Sequence, residues 1–502
     1  MDTDRIQYPY YRSKIITAAQ AAALFKDKMT VGSSGFTKAG DSKAVLPAFA
    51  LRASHEDIAI TLITGASLGH TTDSDLAEAN ALYKRMPFQV DPVLRKKINE
   101  GDVLFIDQHL SETAELLNNK HLPKMDLAII EASGIDENGN IIPTTSIGNS
   151  ASFTKLAEKV IIEINTSIPH NFKGIHDIFI PEEYPNREII PITKANTRIG
   201  KPYLEVDPEK VVGIVFTELP DSPAQVTASD EKTEAIANHL ISFFENEITA
   251  GRLTNSLLPL QAGIGKVANA VLSGFSKGNF ENLTMYSEVL QDSTFELLDS
   301  GKMTFASASS ITVSKPCYDH LLKNFDNYKE KILLRPQNIS NSPEVIRRLG
   351  VIAINTAIEF DIYGNVNSTH ISGTKMMNGI GGSGDFARNA YLSIFVTPSA
   401  SKENAISHVL PMVSHTDHTE HDVDILVTEQ GLADLRGLAP RERALTIIKN
   451  CVHPDYKEAL ESYFNRACIC GGHTPHLLEE ALSWHISFLK SGSMKQPCHA
   501  EH

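Results

Sequence analysis

Asp126-Leu-Ala-Ile-Ile-Glu-Ala-Ser-Gly-Ile-Asp136-Glu-Asn-Gly139-Asn140 places an aliphatic run, an acidic residue and an Asp-x-x-Gly-Asn turn in one line. A short aliphatic run bounded by turn residues reads as a strand buried on both faces, the kind found in parallel sheets covered by helices. The pattern returns in Val351-Ile-Ala-Ile-Asn-Thr-Ala-Ile-Glu-Phe-Asp361-Ile-Tyr-Gly364-Asn365, with strand and turn at nearly the same offset. Gly-Asn and Asn-Gly are ordinary turn dipeptides, so a common hairpin turn used twice would produce part of this likeness. Strand and turn matching together favour an internal duplication, and with it two similar α/β lobes with a cleft between them.

Further aliphatic runs at Ala59–Ile63, Lys159–Ile164, Val211–Val215 and Asp424–Val427 alternate with helix-length amphipathic segments. This alternation predicts an α/β architecture with largely buried sheets. Ser229 to Phe244 has a Ser/Asp start and an apolar stripe, and predicts a helix that opens a second unit. Leu219-Pro-Asp-Ser-Pro-Ala-Gln225, just before it, is the strongest linker by turn chemistry, so two domains are expected, 1–225 and 226–502.

A chain of 502 residues with 42% hydrophobic residues is long enough for two or three domains with sizeable cores. Its net charge of −15 argues against a nucleic-acid partner, because phosphate contacts need a basic face. No run approaches the roughly 18 apolar residues needed to span a bilayer. Five cysteines, Cys317, Cys451, Cys468, Cys470 and Cys498, make no disulfide framework and suit a reducing compartment. The N-terminus lacks a signal or transit pattern, so a cytoplasmic protein is expected.

Several short motifs compete for the chemistry. Gly379-Ile-Gly-Gly-Ser-Gly384 satisfies G-x-G-x-x-G but follows no buried strand, so it reads as a flexible backbone platform rather than a dinucleotide site. Gly65-Ala-Ser67-Leu-Gly69 follows a strand and satisfies G-x-S-x-G, which makes a serine hydrolase the most serious rival from residue pattern alone. His415, His418 and His421 stand at spacing three but have no second ligand cluster, and Cys468-Ile-Cys470 has no partner pair. Glu288 closes the apolar run Leu283-Thr-Met-Tyr286, with Gly263-Ile-Gly-Lys-Val267 upstream. A carboxylate in apolar surroundings with glycine backbone nearby can attack an activated acyl group; an isolated Glu in a salt bridge is the plainer alternative.

Taken together, Leu258–Gly265, Tyr286-Ser-Glu-Val-Leu-Gln-Asp292, Asn378–Phe386 and Val427-Thr-Glu-Gln-Gly-Leu-Ala-Asp-Leu-Arg436 resemble the acetyl-CoA hydrolase/transferase family. The resemblance covers essentially the whole chain. It implies two related CoA-transferase domains, the C-terminal one carrying the glutamate, with the active site at their junction, and a homodimer. It also implies transfer of CoA from succinyl-CoA to acetate through a glutamyl-CoA thioester on Glu288. Acyl-CoA and small carboxylates are the implied partners; coenzyme A is a substrate, and neither a cofactor nor a metal is implied.

Carried over by position, the resemblance makes the Gly382 amide the donor to the external acyl oxyanion and Ile264 the donor to the glutamyl oxyanion. Gly263, Ile264, Gly265, Lys266 and Val267 would line CoA, as would Ile358, Asn378, Gly382 and Lys402. Asn341 and Glu429 support the chemistry, and Ser67 becomes a cleft residue near the small carboxylate. The family pattern has Asn where this chain has Lys266, which is either solvated or a contact to CoA phosphate. An acetyl-CoA hydrolase, a transferase for another short-chain carboxylate, a Ser67 esterase and a plain CoA-binding protein are the competing functions.

Overall fold

In the computed structural model, residues 2–170, 172–225 and 229–495 are described. The strands that build its two large sheets are β1 (Thr30–Ser33), β2 (Ile60–Ile63), β3 (Leu82–Met86), β4 (Leu104–Phe105), β5 (Leu127–Ala132), β6 (Lys159–Asn165), β7 (Val211–Thr217), β8 (Leu260–Ala262), β9 (Leu283–Tyr286), β10 (Met303–Ala308), β11 (Ile332–Leu334), β12 (Ile352–Thr356), β13 (Leu392–Val396), β14 (Ile425–Thr428) and β15 (Gly431–Asp434). The aliphatic runs expected from sequence all appear within a residue or two of their bounds. All six residues of β5 are buried, as a strand covered on both faces requires.

The chain folds as two compact units. The first comprises Met1–Val226, Thr284–Leu349 and Asn378–Asp385. It contains a seven-stranded sheet ordered β4-β3-β2-β1-β5-β6-β7, parallel throughout, and a second run, β11-β10-β9. Helix Val45–Ala53 crosses between β1 and β2, and its first turn is capped from the sheet by the buried Glu163, which accepts from Ser42 Oγ and from the amides of Lys43, Ala44 and Val45.

The second unit comprises Thr227–Leu283, Gly350–Met377 and Phe386–His502. Its strands run β8-β12-β13-β14, parallel, with β15 antiparallel on β14. Helix Glu231–Thr249 starts at a capping box between Asp230 and Thr233, as the Ser/Asp signal predicts. Among the described residues no helix is long and apolar enough to cross a membrane.

The duplication read from sequence reappears in topology. The run β8-β12-β13-β14 repeats the order β1-β5-β6-β7, and β11-β10-β9 repeats β4-β3-β2. The two Asp-x-x-Gly-Asn turns are built alike. Asp136 Oδ1 accepts from the amides of Asn138 and Asn140, and Asn140 Nδ2 donates to Asp136 Oδ2 at 3.1 Å. Asp361 Oδ1 accepts from Tyr363, Gly364 and Asn365, and Asn365 Nδ2 donates to Asp361 Oδ2 at 3.0 Å. Gly139 and Gly364 take φ of 84° and 94°, the left-handed region that explains the glycine in both copies.

Division by contacts departs from the linear boundary at 225/226. Thr284–Leu349, with Glu288, and Asn378–Asp385, with Gly382, are grouped with the N-terminal residues. The segment expected to be a linker also carries buried contacts. Asp221 lies 2.9 Å from the Lys43 ammonium and accepts from the Gly40 amide and from Thr145 Oγ1, and Ser222 Oγ accepts from the His70 amide.

Lys43 is the centre of that arrangement, fully enclosed and surrounded by Glu131 at 2.8 Å, Asp221 at 2.9 Å and Asp41 at 3.5 Å. Burial opposes its charge, but the three carboxylates hold its pKa well above the ordinary value. Lys43→Met is expected to destabilise the fold by about 3–5 kcal/mol, because it leaves buried carboxylates uncompensated. Urea unfolding checks this; a loss below about 1 kcal/mol would show that the carboxylates need no cation.

Candidate active site

Glu288 sits at a break between β9 and the short strand Val289–Leu290, which pairs in parallel with Ser310–Ile311. Its backbone is held on both sides. The Ser287 amide donates to Ser307 O at 2.9 Å, and the amides of Ser309 and Ser310 both donate to Glu288 O, at 2.8 and 3.2 Å. The carboxylate projects from a rigid strand end while the residue keeps an accessible edge.

Two donors meet that carboxylate. Asn341 Nδ2 donates to Glu288 Oε1 at 2.9 Å, and the Gly382 amide also donates to the Glu288 carboxylate. Asn341 follows helix Gln337–Ser340, and Ser340 Oγ donates to Asn341 Oδ1 at 3.0 Å, which turns the amide so that its nitrogen faces Glu288. A Cβ on Gly382 would overlap Glu288 Oε1 and Asn341 Nδ2 and lie 2.5 Å from Glu288 Cδ. Glycine is required at 382 by close approach, whereas at Gly381 the φ of 59° is the constraint.

Among the described residues no cation is paired with Glu288. Burial pushes its carboxyl up to about 7, against the hydrogen bonds from Asn341 and Gly382 that favour the ionised form. Asp385 is pushed up to about 8, by burial first and also by the negative charge of Glu288, while Ser111 opposes the shift. A carboxylate with little compensating charge, near neutrality, facing an N–H that any bound carbonyl oxygen could also use, is equipped for nucleophilic acyl chemistry.

Of the residues singled out from sequence, the structure brings Glu288, Asn341 and Gly382 into direct contact. Asn378 lies in the same unit, its carbonyl accepting from Gln89 Nε2 at 3.4 Å. Ser67 is buried there, its carbonyl accepting from the Lys38 amide, and no histidine bonds its hydroxyl among the described residues. The triad a serine esterase needs is therefore absent from the described contacts. The Gly379–Gly384 platform is closely packed: a Cβ on Gly379 would come within 2.9 Å of Asp107 Oδ1 and Phe88 Cδ2, and one on Gly384 would overlap the His109 ring.

The remaining residues lie in the second unit. Gly263, Ile264 and Gly265 precede helix Lys266–Gly274; Ile264 is 50% exposed, and a Cβ on Gly265 would meet open space. Val267 is buried in that helix. Lys266 Nζ is paired with Asp230 Oδ2 at 2.7 Å, at the start of helix Glu231–Thr249, a partner outside both readings made from sequence. Ile358 is half-buried and donates its amide to Asn367 O. Lys402 takes a φ of 49°, its ammonium 5.4 Å from the Phe488 ring centroid. Glu429 accepts from the Ser399 amide and hydroxyl, both at 2.6 Å; burial resists its ionisation, but those donors leave its pKa lowered.

The histidines at spacing three diverge. His415 stacks at 3.8 Å on His370 and pairs with Asp417, His418 is buried against Phe395, and His421 is exposed in a 3-10 turn. Among the described residues no group of three His, Cys, Asp or Glu is arranged to hold a metal ion. Cys317, Cys451, Cys468 and Cys470 are free thiols; Cys498 lies outside the described residues. Sequence reading passed over Asp107, Ser111, Gln337 and Asp385. Asp385 directly follows the glycine motif and could have been weighed, but nothing in Asp107-Gln-His-Leu-Ser111 marks it as facing that motif.

A duplicated α/β fold that sets a half-buried carboxylate against a glycine-loop amide defines an enzyme of the CoA-transferase and acyl-CoA hydrolase class. The chain matches the family models of the acetyl-CoA hydrolase/transferase N-terminal domain over residues 1–216 and C-terminal domain over 317–464, and it belongs to that family. It is 50% identical over 494 residues to a succinyl-CoA:acetate CoA-transferase of Clostridium kluyveri, covering 98% of this chain and 92% of the relative. It is 45% identical over 513 residues to an acetyl-CoA hydrolase of Schizosaccharomyces pombe, covering 98% of each chain. RipA from Yersinia pestis shares the fold at a TM-score of 0.72, with 22% identity, covering 92% of this chain and 98% of that one.

Proposed function

We propose that the protein is a CoA-transferase that moves CoA from succinyl-CoA to acetate, reversibly, with Glu288 as nucleophile. A Glu288 oxygen attacks the acyl-CoA carbonyl and the C–S bond breaks, giving an acyl-glutamyl anhydride and CoA thiolate. The thiolate attacks the glutamyl carbonyl, the bond to the acyl carboxylate breaks, and the first acid leaves. Glu288 then carries CoA as a thioester, which an incoming carboxylate resolves by the reverse steps. Each addition builds an oxyanion, and the Gly382 amide is the donor we assign to the external one. CoA itself is assigned to Gly263–Val267, Ile358, Asn378 and Lys402.

The observation that carries this reading is the contact of the Glu288 carboxylate with the Gly382 amide at a position where no side chain fits. The Clostridium kluyveri relative supports the donor and acceptor pair. The Schizosaccharomyces pombe relative supports a second reading, hydrolysis, in which water resolves the acyl enzyme. Incubating the protein with succinyl-CoA, with and without acetate, separates the two. Transfer predicts acetyl-CoA only with acetate, and without it a CoA adduct by mass spectrometry on the peptide containing Tyr286-Ser-Glu288-Val. Free thiol released at the same rate without acetate would favour the hydrolase.

The pH dependence has a definite sign. The attacking species is the carboxylate, and burial raises its pKa from an ordinary 4.5 to about 7, so activity is lost as pH falls through 7. The quantity kcat/KM for the acyl-CoA, which reports the free enzyme, is expected to rise with pH and level off above about 8. A profile flat from about pH 5.5 to 8 would remove Glu288 from the role of free-enzyme nucleophile.

A further inference from the structure

The amide that faces Glu288 is carried by residues 378–385, a short excursion whose flanking segments both belong to the second unit. It is gripped on both sides of Gly382 by one stretch, Asp107 to Ser111, between β4 and helix Thr113–Asn118, and also at the Asn378 carbonyl by Gln89. Two residues before Gly382, the Ile380 amide donates to Asp107 Oδ1 at 2.8 Å. Three residues after it, Asp385 accepts from both donors of Ser111, Oδ1 from the hydroxyl at 2.6 Å and Oδ2 from the amide at 3.1 Å. Asp385 is 4% exposed, so a buried carboxyl is committed to gripping a serine. Burial of that kind is costly unless the hydrogen bonds are made, and it fixes the loop in one register.

The same stretch reaches the other donor. Leu110 O accepts from Gln337 Nε2 at 2.8 Å, at the start of helix Gln337–Ser340, which Asn341 follows. Residues 107–111 thus reference both groups that contact Glu288: the Gly382 amide through Asp107 and Asp385, and the Asn341 amide through Gln337. A template is needed because a loop of glycines has no intrinsic preference for the one conformation that aims an N–H at the carboxylate.

We infer that Asp385, clamped by Ser111, is a positioning residue that sets the Gly382 amide against Glu288 for acyl transfer. The inference rests on the proposed role of Glu288. Releasing the clamp frees the loop to drift, and displacement by about 1 Å at an oriented donor costs up to about 100-fold in rate. The loss is expected in the covalent step, because Asp385 holds the loop that carries the Gly382 amide.

The test is the rate of CoA-adduct formation on Glu288 from succinyl-CoA, followed by rapid quench and mass spectrometry in wild type, Asp385→Ala, Asp385→Asn and Ser111→Ala. CoA affinity and thermal unfolding are measured alongside. Asp385→Ala is expected to form the adduct about 10- to 100-fold more slowly, with CoA affinity within about threefold of wild type. Asp385→Asn, which keeps the shape and one acceptor, is expected to recover at least about half of that loss on a logarithmic scale. Wild-type rates in Asp385→Ala, or a loss that appears equally in CoA affinity, would overturn the inference. Should Asp385→Ala not fold, Ser111→Ala decides: a slower adduct with unchanged melting supports the clamp, and an unchanged rate refutes it. Absence of any Glu288 adduct in wild type would instead remove the proposed function.

Discussion

Glu288→Ala is expected to lose CoA transfer by at least about 10³-fold while remaining folded, since removing a covalent nucleophile leaves only binding and oxyanion stabilisation. Stability should change little or improve. In the folded protein the carboxyl is desolvated, its pKa raised to about 7, so the ionised form is held at a cost that the alanine variant does not bear. Folding therefore disfavours the charge on Glu288, and a gain from its removal is expected at high pH, fading as the group protonates in both states. Incubation with succinyl-CoA, followed by mass spectrometry, should find no CoA on the peptide 286–289. Transfer within tenfold of wild type would eliminate Glu288 as the nucleophile.

Gly382→Ala is expected to be nearly as damaging for a different reason. Its backbone is free of the left-handed constraint that Gly381 carries, so the added methyl acts only by collision with Glu288 and Asn341. Either the loop retreats and takes its amide with it, or the carboxylate turns away from Asn341. Losing a preorganised donor costs about 2.7–4 kcal/mol at the transition state, a factor of about 10²–10³ in kcat. CoA affinity should hold, so the loss appears in kcat and in adduct formation rather than in binding. A variant that weakened CoA binding and left kcat intact would make Gly382 part of the CoA site alone.

The site and the Lys43 centre handle charge in opposite ways. Lys43 is held among three carboxylates that compensate its buried charge. Glu288 has hydrogen bonds but, among the described residues, no cation, as the proposed attack on a carbonyl carbon would require. Placing the two arrangements in the same unit separates stability from reactivity: a variant at Lys43 should move the unfolding midpoint, and a variant at Glu288 should move the chemistry.

Local sequence determined the elements. The aliphatic runs at Ile60–Ile63, Leu127–Ala132 and Lys159–Asn165 are strands because burial on both faces selects β-branched and aliphatic residues without alternation. Asp136 and Asp361 write the same turn twice, because one carboxylate oxygen can satisfy consecutive amides only when a glycine turns the chain back towards it. Glu288 and Gly382, which the structure brings into contact, also stood out in the sequence, since each lies in a dense and unusual stretch of text.

Tertiary structure alone decided what those residues touch. Glu288, Asn341 and Gly382 come from three separate segments, joined by packing that no local pattern encodes, and the clustering of 284–349 and 378–385 with the N-terminal residues cuts across the linear halves. Lys266 has the same history: its charge was visible, but its partner Asp230 is set by the approach of two helix starts. Ser111 and Asp107 carried no signal at all, because a serine hydroxyl or an aspartate gains its role only from the group placed opposite it. Periodicity records which face of an element is buried; the identity of the group across the gap is a property of the assembled fold.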